Sequence, residues 1–334
     1  MRRCVTSRPS VVLLAAALCL AATGQASLIT INPTFDATIT SDPNAASIEG
    51  TINAAINYYD TTFTTSNAFS PLTVNITFQE GGGLGGSLTT VYKVNYSSFI
   101  TNLHTASSGD TTDTTALAGL PVSATNPVTG TTTINLKSAN CRALGLGCTL
   151  ASDGTITLNT SLTNPGSLGS TGQYSLLAVT EHEIDEVLGL GSDANSSPGF
   201  FSDPMPEDLF RYGLNAAGAV VRVYNTPAGF DGAYFSIDGK TFLVQFNNLP
   251  NGGDYGDWWS STAPGANRPA RVQDAFAYPG TNPTLANELN APEVIALDAI
   301  GYNLAPLATP EPTTMLMVGS GLLVALLLSK KRRA

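Results

Sequence analysis

The residues best suited to chemistry lie in VTEHEIDEVLGLGSD, residues 179–193. On a helix His182 and Glu186 stand four apart, so both side chains leave one face, with Glu183 about a hundred degrees round the axis. A ring nitrogen and a carboxylate oxygen on one face can share a metal ion, and a neighbouring carboxylate can position and deprotonate a water. Glu181 and Asp185 are like charges at i and i+4, which cost a helix a little stability. A bound cation relieves that repulsion, and plain solvent exposure also makes it tolerable. The bland alternative is a surface ion pair between His182 and Glu186, worth roughly a few tenths of a kcal/mol.

In an H-E-x-x-H zinc motif the first and fifth residues hold the metal and the second is the base. Here Glu186 takes the fifth place. A carboxylate is a legitimate zinc ligand, and its charge makes a bound water less acidic than neutral imidazoles do. The chain has two histidines in all, which excludes a three-histidine site. A His182/Glu186 pair therefore needs a further carboxylate, with Asp193, Asp203 and Asp208 as candidates. The other histidine, His104 in TNLHTA, reads as a surface residue. The loops DANSSPGFFSD and NGGDYGDWW carry carboxylates at a spacing that admits structural Ca²⁺, without matching an EF-hand. No G-x-S-x-G and no Ser/His/Asp set point to serine chemistry.

These residues need elements to hold them. Leu176, Leu177, Val179, Ile184, Val187 and Leu188 give residues 174–190 an apolar side, and Gly189 and Gly191 stop that helix. Residues 44–59 show the same spacing, and residues 72–79 alternate as a strand. The glycine-rich EGGGLGG reads as a flexible turn or edge feature, and VNYSSFITNLHTA as the start of a helix. TTTINLKS and GTITLNTS bracket the cysteine loop as two strands of a hairpin. AVVRVY and AYFSIDGKTFLVQFN are β-like, the second a hairpin turning at Asp238-Gly239, and residues 291–304 read as a closing helix.

Both ends read as addresses. Residues 1–26 carry Arg2, Arg3 and Arg8, an apolar run, and small residues at Gly24 and Ala26, the pattern of a secretory signal peptide. Residues 315–328 are apolar and are followed by Lys330, Lys331, Arg332 and Arg333, which reads as a membrane segment with a basic stop. Seven of the 15 basic residues and one of the 25 acidic residues lie in these ends, leaving a body with 8 positive and 24 negative charges. So acidic a body argues against nucleic acid as a partner and suits an exported protein that collects cations. Cys141 and Cys148, alone in the body, are expected to form a local disulfide.

Residues 309–334, with Pro310-Glu311-Pro312, the apolar run and the basic tail, resemble the PEP-CTERM sorting signal. The resemblance implies export, transient inner-membrane anchoring through the C-terminal helix, processing by an exosortase-type machinery, and a final place at the cell surface or outside. SLLAVTEHEIDEVLGLGS is similar to the active-site helix of matrixin-like metzincins, with His182, Glu183 and Gly189 at matching positions. Ser192 stands where a third histidine ligand would be, with Asp193 one place later. PEDLFRYG, YFSIDGKTFLVQFN, GDYGDWWS, VQDAF and LDAIGYNL extend the likeness to a family of PEP-CTERM-anchored metalloprotease-like proteins. The resemblance implies an α+β zincin fold over residues 27–308: a mixed sheet, an active-site helix, and a smaller loop- and β-rich C-terminal part. It further implies Zn²⁺ held by His182, Glu186 and Asp193, Glu183 as general base, and a protein or peptide substrate. The alternative is a non-catalytic surface or matrix protein that keeps a degenerate zincin fold.

Overall fold

The computed structural model describes residues 27–306 except 167, 171, 195–202, 225–231, 261–268, 287 and 289. The expected signal peptide and the apolar run of the sorting signal lie outside the described residues.

The main sheet has four strands in the order Thr30–Phe35, Thr73–Glu80, Gly154–Leu158, Gly85–Thr89. The first three run parallel and the last is an antiparallel edge. Val74, Ile76 and Phe78 point to one face and are buried, as their alternation predicts. The helices Ala45–Thr62 and Leu176–Leu188 pack on each other; the first lies on strand Thr30–Phe35, the second on Gly85–Thr89 and Gly154–Leu158. Ile48, Ile52, Ala55, Ile56 and Tyr59 form the buried stripe of the first helix. The chain is thus a mixed α+β protein whose main sheet is complete before the helix that carries His182.

After that helix the chain builds a small antiparallel sheet in the order Val220–Arg222, Arg211–Leu214, Tyr234–Phe235, Val244–Gln245. Its last pair is the expected hairpin; Asp238 accepts from the N–H groups of Lys240 and Thr241, and Gly239 takes φ 65°. The end of the chain returns to its beginning: Asn303–Leu304 and Ser27–Leu28 flank Phe63–Thr65.

Two expectations need correction. The strands either side of the cysteine loop are not a hairpin. Thr133–Lys137 pairs with Val91–Asn95, and Gly154–Leu158 joins the main sheet. Between them the helix Ser138–Ala143, tied by the Cys141–Cys148 disulfide with Cα atoms 5.9 Å apart, sends the chain from one sheet to the other. Gly85 and Gly86, the last residues of the glycine-rich run, open the edge strand Gly85–Thr89, the edge feature that run allowed. The closing helix is shorter than its pattern, Pro292–Ala299, because Gly301 at φ 115° lets the chain turn into a strand. The threonine-rich Thr111–Ala118, for which the sequence pattern set no expectation, is also a helix, carried by the cap at Asp110 rather than by an apolar stripe.

Candidate metal centre

The helix Leu176–Leu188 begins where Ser175 accepts from the Ala178 N–H and ends at Gly189, whose φ is 143°. It is not a surface helix: Glu181, Glu183 and Asp185 are all buried. Each acid has its own surroundings. Glu181 accepts from Thr284 Oγ1 and the Leu285 N–H at 3.0 and 3.1 Å, tying the helix to the segment before the last helix. The Tyr59 hydroxyl lies 2.8 Å from both the Glu181 carbonyl and Asp185 Oδ1. Burial, then Glu293, pushes Asp185 well above the ordinary carboxylate range.

His182 and Glu186 project together into a cleft of about 280 Å³, and Asp257 meets them there. His182 Nε2 lies 3.7 Å from Asp257 Oδ1 and 3.9 Å from Glu186 Oε1. The ring's other nitrogen, Nδ1, faces the Val272 carbonyl at 3.0 Å, which fixes the ring and turns Nε2 to the carboxylates. Ligands about 2.0–2.2 Å from a shared tetrahedral zinc lie roughly 3.3–3.6 Å apart, so His182 Nε2 is within a few tenths of an ångström of that spacing from each carboxylate, and all three ligand atoms lie within 4.8 Å of one another. One imidazole and two carboxylates are also an acceptable zinc donor set, and three protein ligands is the number that catalytic sites use. The residues fit a metal.

Asp257 is positioned by the chain that follows the helix. Its neighbour Trp258 is fully buried against Phe235 and Phe246, and its backbone pairs with Gln273 and Ala275. Gly256 packs directly on the backbone of Gly191 and Ser192, where a Cβ would meet atoms at 2.5–2.8 Å, so glycine lets this loop close on the helix end. Gln273 Nε2 donates to Asp257 Oδ1 at 2.9 Å and sits 3.4 Å from His182 Nε2.

Glu183 and Glu186 are held in opposite states. Burial raises Glu183 to about 8; Glu186 and Asp257 add to the rise, and His182 opposes it. Its Oε2 is buried without a hydrogen-bond partner, close against Gly85, where a Cβ would meet Oε1 at 2.3 Å. For Glu186 burial is outweighed by Lys137, then His182 and the Ser87 hydroxyl, which hold it below the usual range. Burial alone would lower His182; Asp257, Glu183 and Glu186 overturn that and carry it to about 10. Two carboxylates three residues apart are thus separated by environment, Glu186 toward its charged form and Glu183 toward giving and taking a proton nearer neutrality.

Asp193 lies elsewhere. Beyond Gly189 and Gly191, both at positive φ, the chain turns away from the cleft, and Asp193 Oδ2 accepts from Asn135 Nδ2 at 2.8 Å. Asp208 accepts from Ser192 Oγ and from the N–H groups of Asp193 and Met205. Asp203 accepts from Thr131 and Thr133 and pairs with Lys93 at 2.7 Å. Protein donors serve these three acids, and none of them joins the group formed by His182, Glu186 and Asp257. His104 is exposed on its helix, Nε2 facing the Leu120 carbonyl. Sequence reasoning placed Asp257 only in a loop admitting Ca²⁺, and passed over Ser87, Lys137 and Gln273. The signal for Asp257 was there in GDYGDWWS, beside the tryptophan that anchors it.

Residues 308–333 match the family model of the PEP-CTERM protein-sorting motif. The motif marks an exported protein with a C-terminal membrane-anchoring tail that the exosortase sorting machinery processes. No curated protein and no solved structure matches the chain. Among the described residues no helix is long and apolar enough to cross a membrane. The match covers the tail alone, so the work of the body is read from its own geometry.

Proposed function

We propose that the exported body is a zinc-dependent peptidase of zincin-like build, with His182, Glu186 and Asp257 as the metal ligands and Glu183 as general base. The observation that carries this reading is the convergence of His182 Nε2, Glu186 Oε1 and Asp257 Oδ1 in a cleft beside Glu183. A bound zinc supplies Lewis acidity toward a carbonyl and lowers the pKa of water. The residues do the rest. His182 is aimed by Val272, and Lys137 and Ser87 keep Glu186 ionised for coordination. Glu183 takes a proton from the attacking water and returns it to the leaving amine, a role suited to a carboxylate raised toward neutrality. The edge strand Gly85–Thr89 supplies Gly85, Gly86 and Ser87 to the cleft. A strand edge offers backbone N–H and C=O groups to an extended peptide, which favours a peptide substrate over a compact one.

A second reading, a non-catalytic surface protein, draws on one observation. His182 Nε2 stands 3.7 Å from Asp257 and 3.9 Å from Glu186, and these carboxylates favour its protonated form, so an ion network can hold the three together without a metal.

Elemental analysis of the exported protein separates the two. The peptidase reading expects about one zinc per chain, as a catalytic three-ligand site holds. Asp257→Ala loses that zinc and Asp193→Ala keeps it. Zinc retained by Asp257→Ala, or a protein that takes up none, overturns the assignment.

A further inference from the structure

A second acidic cluster joins two elements that the cleft does not use. Asp110 caps the helix Thr111–Ala118, its Oδ1 accepting from the Asp113 N–H at 2.9 Å. Asp298 sits near the end of the helix Pro292–Ala299, which packs on the first. One carboxylate oxygen from each of Asp110, Asp113 and Asp298 lies within 4.8 Å of the other two. Asp113 Oδ2 is already engaged by the Ser108 N–H and hydroxyl, at 2.6 and 2.9 Å. Asp298 has no such close donors, and only the Thr112 side chain comes near enough to favour its charged form. Asp298 is 1 % exposed, and neither of its carboxylate oxygens has a hydrogen-bond partner.

A buried carboxylate without a donor is among the costliest things a fold can hold. Its place makes matters worse, because the C-terminal end of a helix is the negative end of the dipole. Burial, then Asp113 and Asp110, raises Asp298 to about 8. Among the described residues none of the three acids forms a salt bridge to Lys, Arg or His.

We propose that Asp110, Asp113 and Asp298 form a Ca²⁺ site that clasps the helix Thr111–Ala118 to the C-terminal helix. The donors are all carboxylate oxygens, with no imidazole or thiolate, which is the chemistry of a hard divalent cation rather than of zinc. Asp110 is exposed, so the ion has a way in and waters complete its shell. Extracellular Ca²⁺ modules bind with a Kd of about 10⁻⁴–10⁻³ M, so an exported chain meets a concentration that fills such a site. The clasp acts near the exit of the sorting tail. Asn303, just beyond the helix, already accepts from the Ser108 N–H and donates to the Ala106 carbonyl.

The test is thermal unfolding of exported protein stripped of metal and then given CaCl₂, MgCl₂ or ZnCl₂ alone. Millimolar Ca²⁺ is expected to raise Tm by about 2–4 °C in wild type and equally in Glu186→Ala. Asp298→Asn loses that rise. Since it replaces a buried carboxyl, which the metal-free fold must keep protonated, with a neutral amide of the same shape, its metal-free Tm is no lower than that of metal-free wild type. Asp110→Asn keeps a capping side chain and shifts the response to higher Ca²⁺, so it decides the matter should Asp298→Asn fail to fold. No Ca²⁺ response in wild type, an undiminished response in both Asp variants, an equal response to Mg²⁺, or a response lost in Glu186→Ala alone overturns the proposal.

Discussion

The two acidic clusters of this protein differ in what surrounds their carboxylates. Around His182 the two proposed ligand carboxylates are answered: Lys137 and Ser87 serve Glu186, Gln273 serves Asp257, and the imidazole itself stands among them, while Glu183 keeps one oxygen without a donor. Around Asp298 no cation and no close donor answers: Thr112 is the one side chain that favours its charge, and both of its oxygens are buried without a hydrogen bond. The first cluster lines a cleft with room for a substrate, and the second lies where two helices meet. Compensated charge of mixed nitrogen and oxygen type is what a site needs to tune a proton and a borderline metal. Uncompensated oxygen is what a structural ion needs, because the ion itself is the missing partner.

The largest expected difference between the clusters is in activity. Glu183→Gln should lower the rate of casein cleavage by about 10²–10⁴-fold with zinc retained, whereas Asp298→Asn leaves that rate unchanged in calcium-free buffer. Equal loss in both would erase the distinction. Next comes Trp258→Ala, which should cost roughly 3–5 kcal/mol in denaturant unfolding and reduce zinc content, because the buried ring seats Asp257. It should leave the Ca²⁺ response in place.

Ser87→Ala removes the hydroxyl that Glu186 accepts from, and should weaken zinc binding about 10–100-fold in a competition titration, as loss of a ligand's support does. Unaltered affinity would remove Ser87 from the site.

The smallest effect is a pH trend in metal-free protein. Glu183 rises from 4.5 to about 8, Asp298 from 3.8 to about 8, and Asp257 from 3.8 to about 7. For an acid raised in the fold, the native state holds the proton that the unfolded chain releases. Stability therefore falls as pH climbs from the unfolded value to the folded one. His182, raised from 6.5 to about 10, adds stability that is lost as pH climbs through that range. Tm should thus decline from about pH 5 to pH 8, and Asp298→Asn should flatten part of that decline. A rising Tm over this range would contradict the burial of these acids.

What the sequence determined by itself was local. Apolar spacing marked the helices around residues 45–62 and 176–188, alternation marked the strand at 73–80, and i, i+4 spacing put His182 and Glu186 on one face. The seven-residue separation of Cys141 and Cys148 sufficed for their disulfide. The sorting tail was legible because its recognition depends on composition and order alone. What only the tertiary structure decided was every partner reached across the chain. Asp257 comes to His182, and Asp298 to Asp110, through packing between elements far apart in sequence, about which neither periodicity nor spacing holds information. The burial of Glu181, Glu183 and Asp185 was hidden for the same reason: charge pattern shows that acids repel, but only the surrounding core shows whether water is there to screen them.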